Sequence, residues 1–350
     1  MVSIRLANDS DNAQLLELEK MCPQGTNLVL SFDRSPNFFA RSQVYLDYLI
    51  YVAEEEKKIA GTVGATLKEF NVNGKSVRGI YIYDLRVNPN HRGKGIGSQL
   101  IQRAIAEEKE ADLAYGIIME ENYPSVALFT KLGFHNIHDF ILLNIPIFKR
   151  KQGKTQNIRT MTTEDVQQIT ALLNKYYGDR DFFAELTPHD FLEGMSSLPG
   201  YGYESIYVDK AEGKIQACTG LWDYSKIFRV TALRVSAKLN MLRYVLKFVN
   251  IFKDSMKLPA VGEPFKLMYV KDMAFAGKPE TAVPLIEHCI NQAYAQKSAF
   301  LSFPLDAAEP MAQIIAKYKP IIVKNHIYAK SLSGEDLKSS QMAYVNVADL

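Results

Sequence analysis

Residues Ile80 to Ile105 read IYIYDLRVNPNHRGKGIGSQLIQRAI. From Ile80 to Val87 nearly every residue is β-branched, aromatic or aliphatic, which predicts a strand. Asn88-Pro89-Asn90 ends it, because proline cannot donate to a ladder and asparagine favours turns. Arg92-Gly93-Lys94-Gly95-Ile96-Gly97 then opens a helix whose apolar residues Ile96, Leu100, Ile101, Ala104 and Ile105 recur at helical spacing. Strand, glycine-rich turn and helix make a device for holding phosphates. Bare glycines let backbone N–H groups approach an anion, the helix N-terminus adds partial positive charge, and Arg92 and Lys94 add full charges. A Walker A loop would need Ser or Thr after Lys94, where Gly95 stands. A dinucleotide loop would need G-x-G-x-x-G and an acid ending a second strand, but the spacing is G-x-G-x-G and Glu107, Glu108 and Glu110 sit in a charged helix end.

The pattern R-x-x-G-x-G after a strand ending in V-x-P, Val87-Asn88-Pro89 through Gly97, resembles the pyrophosphate loop of the GNAT superfamily of N-acetyltransferases. A second signature stands in the order that family would have it. Asn122-Tyr123-Pro124-Ser125-Val126-Ala127-Leu128-Phe129-Thr130-Lys131-Leu132-Gly133-Phe134 is similar to its N-x-x-(S/A)-x-x-L-(Y/F)-x-K-L-G-F helix. The resemblance implies a mixed α/β fold: two tandem GNAT-like domains, each a twisted, mostly antiparallel sheet flanked by helices. It implies acetyl-CoA as co-substrate, held by the backbone from Gly93 through Gly95, Ile96 and Gly97 to Ser98, with Arg92 and Lys94. Pantetheine would lie along Leu85-Arg86-Val87 and meet the Asn122 amide; the alternative role of Asn122 is a helix N-cap.

At 350 residues the chain suggests two domains, and 47% hydrophobic content supports real cores. A net charge of +2 gives no argument for nucleic acid. Cys22, Cys218 and Cys289 form neither a metal spacing nor a disulfide framework, and the histidines show no metal-ligand spacing, so no metal is expected. The N-terminus is no signal peptide, and the longest apolar run, Phe140 to Phe148, is too short and interrupted to span a bilayer. A cytoplasmic protein, monomer or homodimer, is the expectation.

Residues 1–150 read as the domain with the acetyl-CoA site. Ser3 to Ala7 suggests a strand, and Asp9-Ser10-Asp11 caps a helix. Residues 24 to 47 read as irregular, hairpins turn at Glu55–Lys58 and Asn73-Gly74, and Phe134 to Ile147 forms closing strands. A basic linker follows at Lys149 to Lys154. Residues 151–350 then read as a degenerate copy. Ile4-Arg5, Asp11 and Gln14 are echoed by Ile158-Arg159, Asp165 and Gln168 at one constant offset; Lys58-Ile59 is echoed by Lys214-Ile215, and Asp84-Leu85 by Asp272-Met273. Ala276-Gly277-Lys278-Pro279 cannot repeat the phosphate nest, having one glycine, no arginine and a proline. An insertion near 236–264 carries an amphipathic basic helix, Lys238 to Lys253.

Acetyl transfer to an amine asks for a base and an acid. Asp84, alone in an apolar strand, is the candidate base, with a structural ion pair to Arg86 on the same face as the alternative. The adjacent Tyr83 stands where several GNAT enzymes carry a glutamate; Glu120 and Glu121 are further candidates. Phe129 stands where the family often has a tyrosine acid, which leaves Tyr123, water or the second half for that step. The function expected is an acetyl-CoA-dependent N-acetyltransferase acting by direct attack of a primary amine, on a small molecule or a peptide. A non-catalytic acyl-CoA-binding module and an acyltransferase using a longer acyl-CoA are the alternatives.

Overall fold

Alternation along the quoted strand sends its side chains to two faces, and both are covered. In the computed structural model, which describes residues 2–25, 28–152, 157–235, 261–334 and 339–350, Ile80 and Ile82 pack into one core cluster and Tyr81 and Tyr83 into another. A strand buried on both sides must be apolar throughout, which is why this one reads as an unbroken run.

The first half contains β1 (Ser3–Leu6), α1 (Asn12–Lys20), β2 (Leu28–Asp33), β3 (Leu49–Glu55), β4 (Lys58–Val72), β5 (Lys75–Val87), α2 (Ile96–Glu107), β6 (Leu113–Met119), α3 (Tyr123–Lys131) and β7 (His135–Pro146). The second contains β8 (Ile158–Thr160), α4 (Val166–Tyr177), α5 (Pro188–Ser196), β9 (Ile206–Ala211), β10 (Lys214–Asp223), β11 (Arg229–Val235), β12 (Pro264–Phe265), β13 (Leu267–Phe275), α6 (Val283–Ala295), β14 (Phe300–Asp306), α7 (Pro310–Ala316) and β15 (Ile321–Ser331). The fold is mixed α/β, with a mostly antiparallel sheet between helices.

Twelve strands join in one sheet, in the order β1-β3-β4-β5-β6-β15-β7-β14-β13-β10-β9-β8. The order is palindromic: exchanging corresponding strands of the two halves returns the same sheet. Its centre is an exchange. β15, from the second half, lies between β6 and β7 of the first, and β7 pairs on its other edge with β14. The halves therefore share one hydrogen-bonded ladder across the middle of the molecule.

The echoed residues perform the same tasks twice. Arg5 Nη1 meets Asp11 at 2.7 Å, and Arg159 Nη1 meets Asp165 at 2.6 Å. Gln14 Oε1 accepts from the Ile59 N–H at 3.0 Å, and Gln168 Oε1 from the Ile215 N–H at 3.1 Å. Each glutamine thus ties the helix after the first strand of its half to a hairpin strand.

Asn73 and Gly74 both have positive φ, as a two-residue hairpin turn requires. Residues 24 to 47 are not wholly irregular. β2 pairs with β11 of the second half in a three-stranded sheet, a partnership no local pattern announces. Phe134 to Ile147 holds one strand, β7. The helix expected over Lys238 to Lys253 lies outside the described residues, as does most of the insertion around it. All three cysteines are free and buried. Among the described residues no helix is long and apolar enough to cross a membrane.

Because β15 satisfies the facing edges of β6 and β7, a chain of residues 1–150 is expected to lack native tertiary packing and to aggregate. Near-ultraviolet circular dichroism checks this: native signal should return only when residues 151–350 are co-expressed.

Candidate active site

The loop that the sequence reading assigns to a phosphate joins β5 to α2. Gly93 and Gly95 both sit at φ +79°, a left-handed conformation that strains any residue with a Cβ. A Cβ at Gly93 would meet nothing within 4 Å, so the space before it is open. Arg92 and Lys94 are exposed beside it, and Ile96, 2% exposed, anchors the start of α2 in the core. The first N–H groups of α2, including that of Ser98, have no intrahelical acceptor and face the nest end of the helix. At Gly97 a Cβ would come within 3.0 Å of Leu128, with Val87 and Leu85 just beyond. Glycine at this position therefore lets α2, α3 and the end of β5 close around one groove. His91 is turned to Glu55, 3.3 Å away.

The groove leads to a fork in the sheet. β5 pairs with β6 over only three residues, Gly79 to Tyr81 against Leu113 to Tyr115, and the strands then part. On its other edge, β5 slips register: Gly64 faces Tyr83 and Thr62 faces Arg86, so Asp84 and Leu85 together oppose Val63. This bulge is made by Asp84 at φ +50°. Phe129 is buried, with its ring over Gly116 beside the Ile82 carbonyl and 4.8 Å from the Phe134 ring. It is a hydrophobic wall of the fork and has no proton to give.

Asp84 is not placed as a base. Its carboxylate lies 2.5 Å from Arg34 Nη1, 3.1 Å from Arg41 Nη1 and 3.3 Å from Arg86 Nη2, with only 5% of its side chain exposed. Burial would raise its pKa, but Arg34, then Arg41 and Arg86, overcome that and hold it well below the usual carboxylate range. A carboxylate so held does not take a proton near neutral pH, and the ion-pair alternative is the one realised. Glu19 completes the cluster, 2.7 Å from Arg34 and 3.0 Å from Arg86. Sequence reading missed Glu19, Arg34 and Arg41. Their one signal was a buried-side position for Glu19 on α1; Arg34 and Arg41 lay in the stretch read as irregular.

Tyr123 is 69% exposed at the first turn of α3. Asn122 caps α3, accepting from the Ser125 N–H at 3.4 Å, and its Nδ2 has no partner among the described residues. Glu120 is paired with Lys324 at 3.3 Å.

The second half repeats the fork and closes it. β13 pairs with β14 over Leu267 to Tyr269 alone, and Asp272 makes the bulge at φ +52°. Here the gap is filled. The Ala343 N–H donates to Asp306 at 2.8 Å and the Tyr344 hydroxyl to Asp272 at 2.5 Å, leaving about 20 Å³, room for one water. At the position of the nest stand Gly277 and Pro279, the latter with no N–H to offer.

Residues 13–134 match the model of the acetyltransferase (GNAT) family, a span that contains the nest, the fork and α3. The match identifies a GNAT-type acetyltransferase domain within the first half of the chain. The chain is 22% identical to the probable N-acetyltransferase HLS1 of Arabidopsis thaliana over 91% of this chain and 90% of that one, and 25% identical to the acetyl transferase GW6a of Oryza sativa subsp. japonica over 76% and 65%. In fold it is similar to the N-myristoyltransferase of Saccharomyces cerevisiae, solved with bound myristoyl-CoA: TM-score 0.63, 12% identity, 94% of this chain and 82% of that one. A GCN5-related N-acetyltransferase from Anabaena variabilis superposes at TM-score 0.56 with 11% identity over 95% of this chain and 73% of that one. The likeness in fold to both solved structures spans both halves of the chain.

Replacing Asp84 by Asn leaves three buried guanidinium groups with Glu19 alone, and is expected to cost about 3–5 kcal/mol in urea unfolding. The sign of its pH dependence follows from the depressed pKa. The Asp84 contribution is fully present above about pH 4 and lost as pH falls through the folded value. Acid should therefore narrow the stability gap between wild type and variant; a gap unchanged between pH 7 and pH 2.5 refutes the assignment.

Proposed function

We propose that the chain transfers an acetyl group from acetyl-CoA to a primary amine, with a single donor site in residues 1–150. Residues 151–350 then form a degenerate copy that binds no donor and completes the enzyme. The nest at Gly93 and Gly95 carries this reading: two left-handed glycines, open space before the first, two exposed cations and a helix N-terminus fit a pyrophosphate. The donor's pantetheine arm would run over Leu85 to Val87, which β6 has left unpaired, and would meet the free Nδ2 of Asn122.

At the fork the amine, entering as its neutral form, attacks the thioester carbonyl carbon with its lone pair. An N–C bond forms, the C–S bond breaks, the nitrogen gives up one proton and the departing thiolate takes one up. Backbone N–H groups of β5 beyond the bulge are suited to stabilise the oxyanion, a role that needs no special side chain. Tyr123 is the side chain assigned here to return a proton to the thiolate.

Gly95→Glu puts bulk and negative charge into the nest. It is expected to abolish acetyl-CoA binding in calorimetric titration while leaving the far-ultraviolet spectrum intact; one-to-one binding in the wild type, lost in the variant, is the supporting result. Tyr123→Phe should lower kcat by about tenfold or more without changing acetyl-CoA affinity. Acyl-CoA donors of graded length then separate acetyl from longer-chain transfer, and donor binding without turnover on any amine would turn the chain into a binding module.

A further inference from the structure

The fork is open at its mouth and closed at its depth. Leu85, Val87 and Leu128, which meet around Gly97, are half-buried and leave an apolar groove that solvent reaches. Ile82, Phe129 and Phe134 lie further in, and none is more than 4% exposed. The change from half-buried to buried falls across the bulge, between Leu85 and Ile82.

Phe129 is the stopper. Beyond the last paired residues, Tyr81 and Tyr115, the two strands continue with Ile82 and Gly116. A Cβ on Gly116 would lie 2.8 Å from the Phe129 ring and 3.2 Å from the Ile82 carbonyl oxygen, so the tip of the ring sits where the strands part. A glycine in the strand is what admits so close an approach. Phe134 backs the ring, with centroids 4.8 Å apart, and the Phe129 carbonyl accepts from the N–H groups of Leu132 and Phe134, both at 3.0 Å.

Both arms of the fork are held in the sheet. β5 stays paired with β4 through Val87, and β6 with β15 through Met119. The face of the sheet that carries Tyr81 and Tyr83 is packed as well. There Tyr81 stacks on Tyr83 at 5.5 Å and tilts against Tyr115 at 5.1 Å, and all three are buried. Tyr115 in turn lines a cavity of about 430 Å³ that both halves wall.

We infer that Phe129, seated on Gly116, sets the length of acyl group the chain accepts and limits it to acetyl or little more. The inference rests on the donor reading above. With pyrophosphate at the nest and pantetheine over Leu85 to Val87, the thioester falls at the bulge and its acyl group points at the gap between Ile82 and Gly116. An acetyl methyl ends there. Each further methylene has to displace a packed ring, which a close-packed interior resists. One methylene too many in a fitted apolar pocket costs about 10- to 200-fold in discrimination. Phenylalanine does this without leaving a buried hydroxyl to satisfy.

The test titrates the full chain calorimetrically with CoA, acetyl-CoA and hexanoyl-CoA, a readout that needs no acceptor. Wild type should bind CoA and acetyl-CoA with similar affinity and hexanoyl-CoA at least about tenfold more weakly. Phe129→Ala removes the ring and should bring hexanoyl-CoA level with acetyl-CoA, a relative gain of about tenfold or more. Retained CoA binding and near-ultraviolet circular dichroism report that the variant is folded. Where the alanine variant fails to fold, Phe129→Leu, which keeps an apolar filler, should move the same ratio in the same direction. Hexanoyl-CoA that binds wild type as tightly as acetyl-CoA overturns the inference, and is what a chain passing into the cavity beside Tyr115 would give. A ratio that the folded variant does not shift overturns it too. Absence of CoA binding in wild type refutes the donor reading, and this inference with it; CoA binding that ignores acyl length refutes the limit at Phe129 alone.

Discussion

Asp84 and the three arginines around it set how β5 leaves β6. A non-glycine residue at φ +50° costs on the order of 1–3 kcal/mol and persists only where its surroundings hold it. Here the surroundings are Arg34, Arg41 and Arg86, each within ion-pair distance of one buried carboxylate. With Glu19 included, three positive charges face two negative ones. Part of the excess is met by rings and carbonyls: the Arg34 guanidinium lies 3.9 Å from the centroid of Phe38, and Arg41 donates to the Asp349 carbonyl. The bulge, the fork and the groove beside it all follow from the residue this cluster fixes. A carboxylate that looks catalytic in an apolar strand is thereby a positioning group.

Much of this was legible in the chain because local chemistry wrote it. The nest needs glycines at two left-handed positions, and the strand before it needs apolar residues on both faces; both demands are visible over a few residues. The echo of Arg5, Asp11 and Gln14 in Arg159, Asp165 and Gln168 was legible for the same reason, since each residue serves a contact within its own half. What stayed hidden joins distant parts. β2 forms against β11, Arg34 and Arg41 gather on Asp84 from a stretch without regular pattern, and β15 enters the first half's sheet. Nothing in a strand's own composition says which edge it will find.

The two halves share one framework and differ at the fork. Both retain the short parallel pairing and an aspartate in the left-handed region after it. Only the first keeps an open fork. In the second, Tyr344 donates to the very aspartate that makes the bulge, so the feature that opens the first fork serves in the second as the anchor for its plug. The segment that plugs one half also walls the cavity facing the other, through Tyr344, Asn346 and Asp349.

The exchanged strand has a consequence for synthesis on the ribosome. The edges of β6 and β7 that face each other stay unpaired until β15 emerges, near the far end of the chain. At translation rates of about 5–20 residues per second, that interval is on the order of ten seconds or more. Throughout it the nascent chain presents two long bare edges, the surface through which strands recruit the wrong neighbour. Slow elongation or heat would thus damage this protein most before it is finished, and its yield in a cell would follow chaperone supply more closely than the stability of the completed fold.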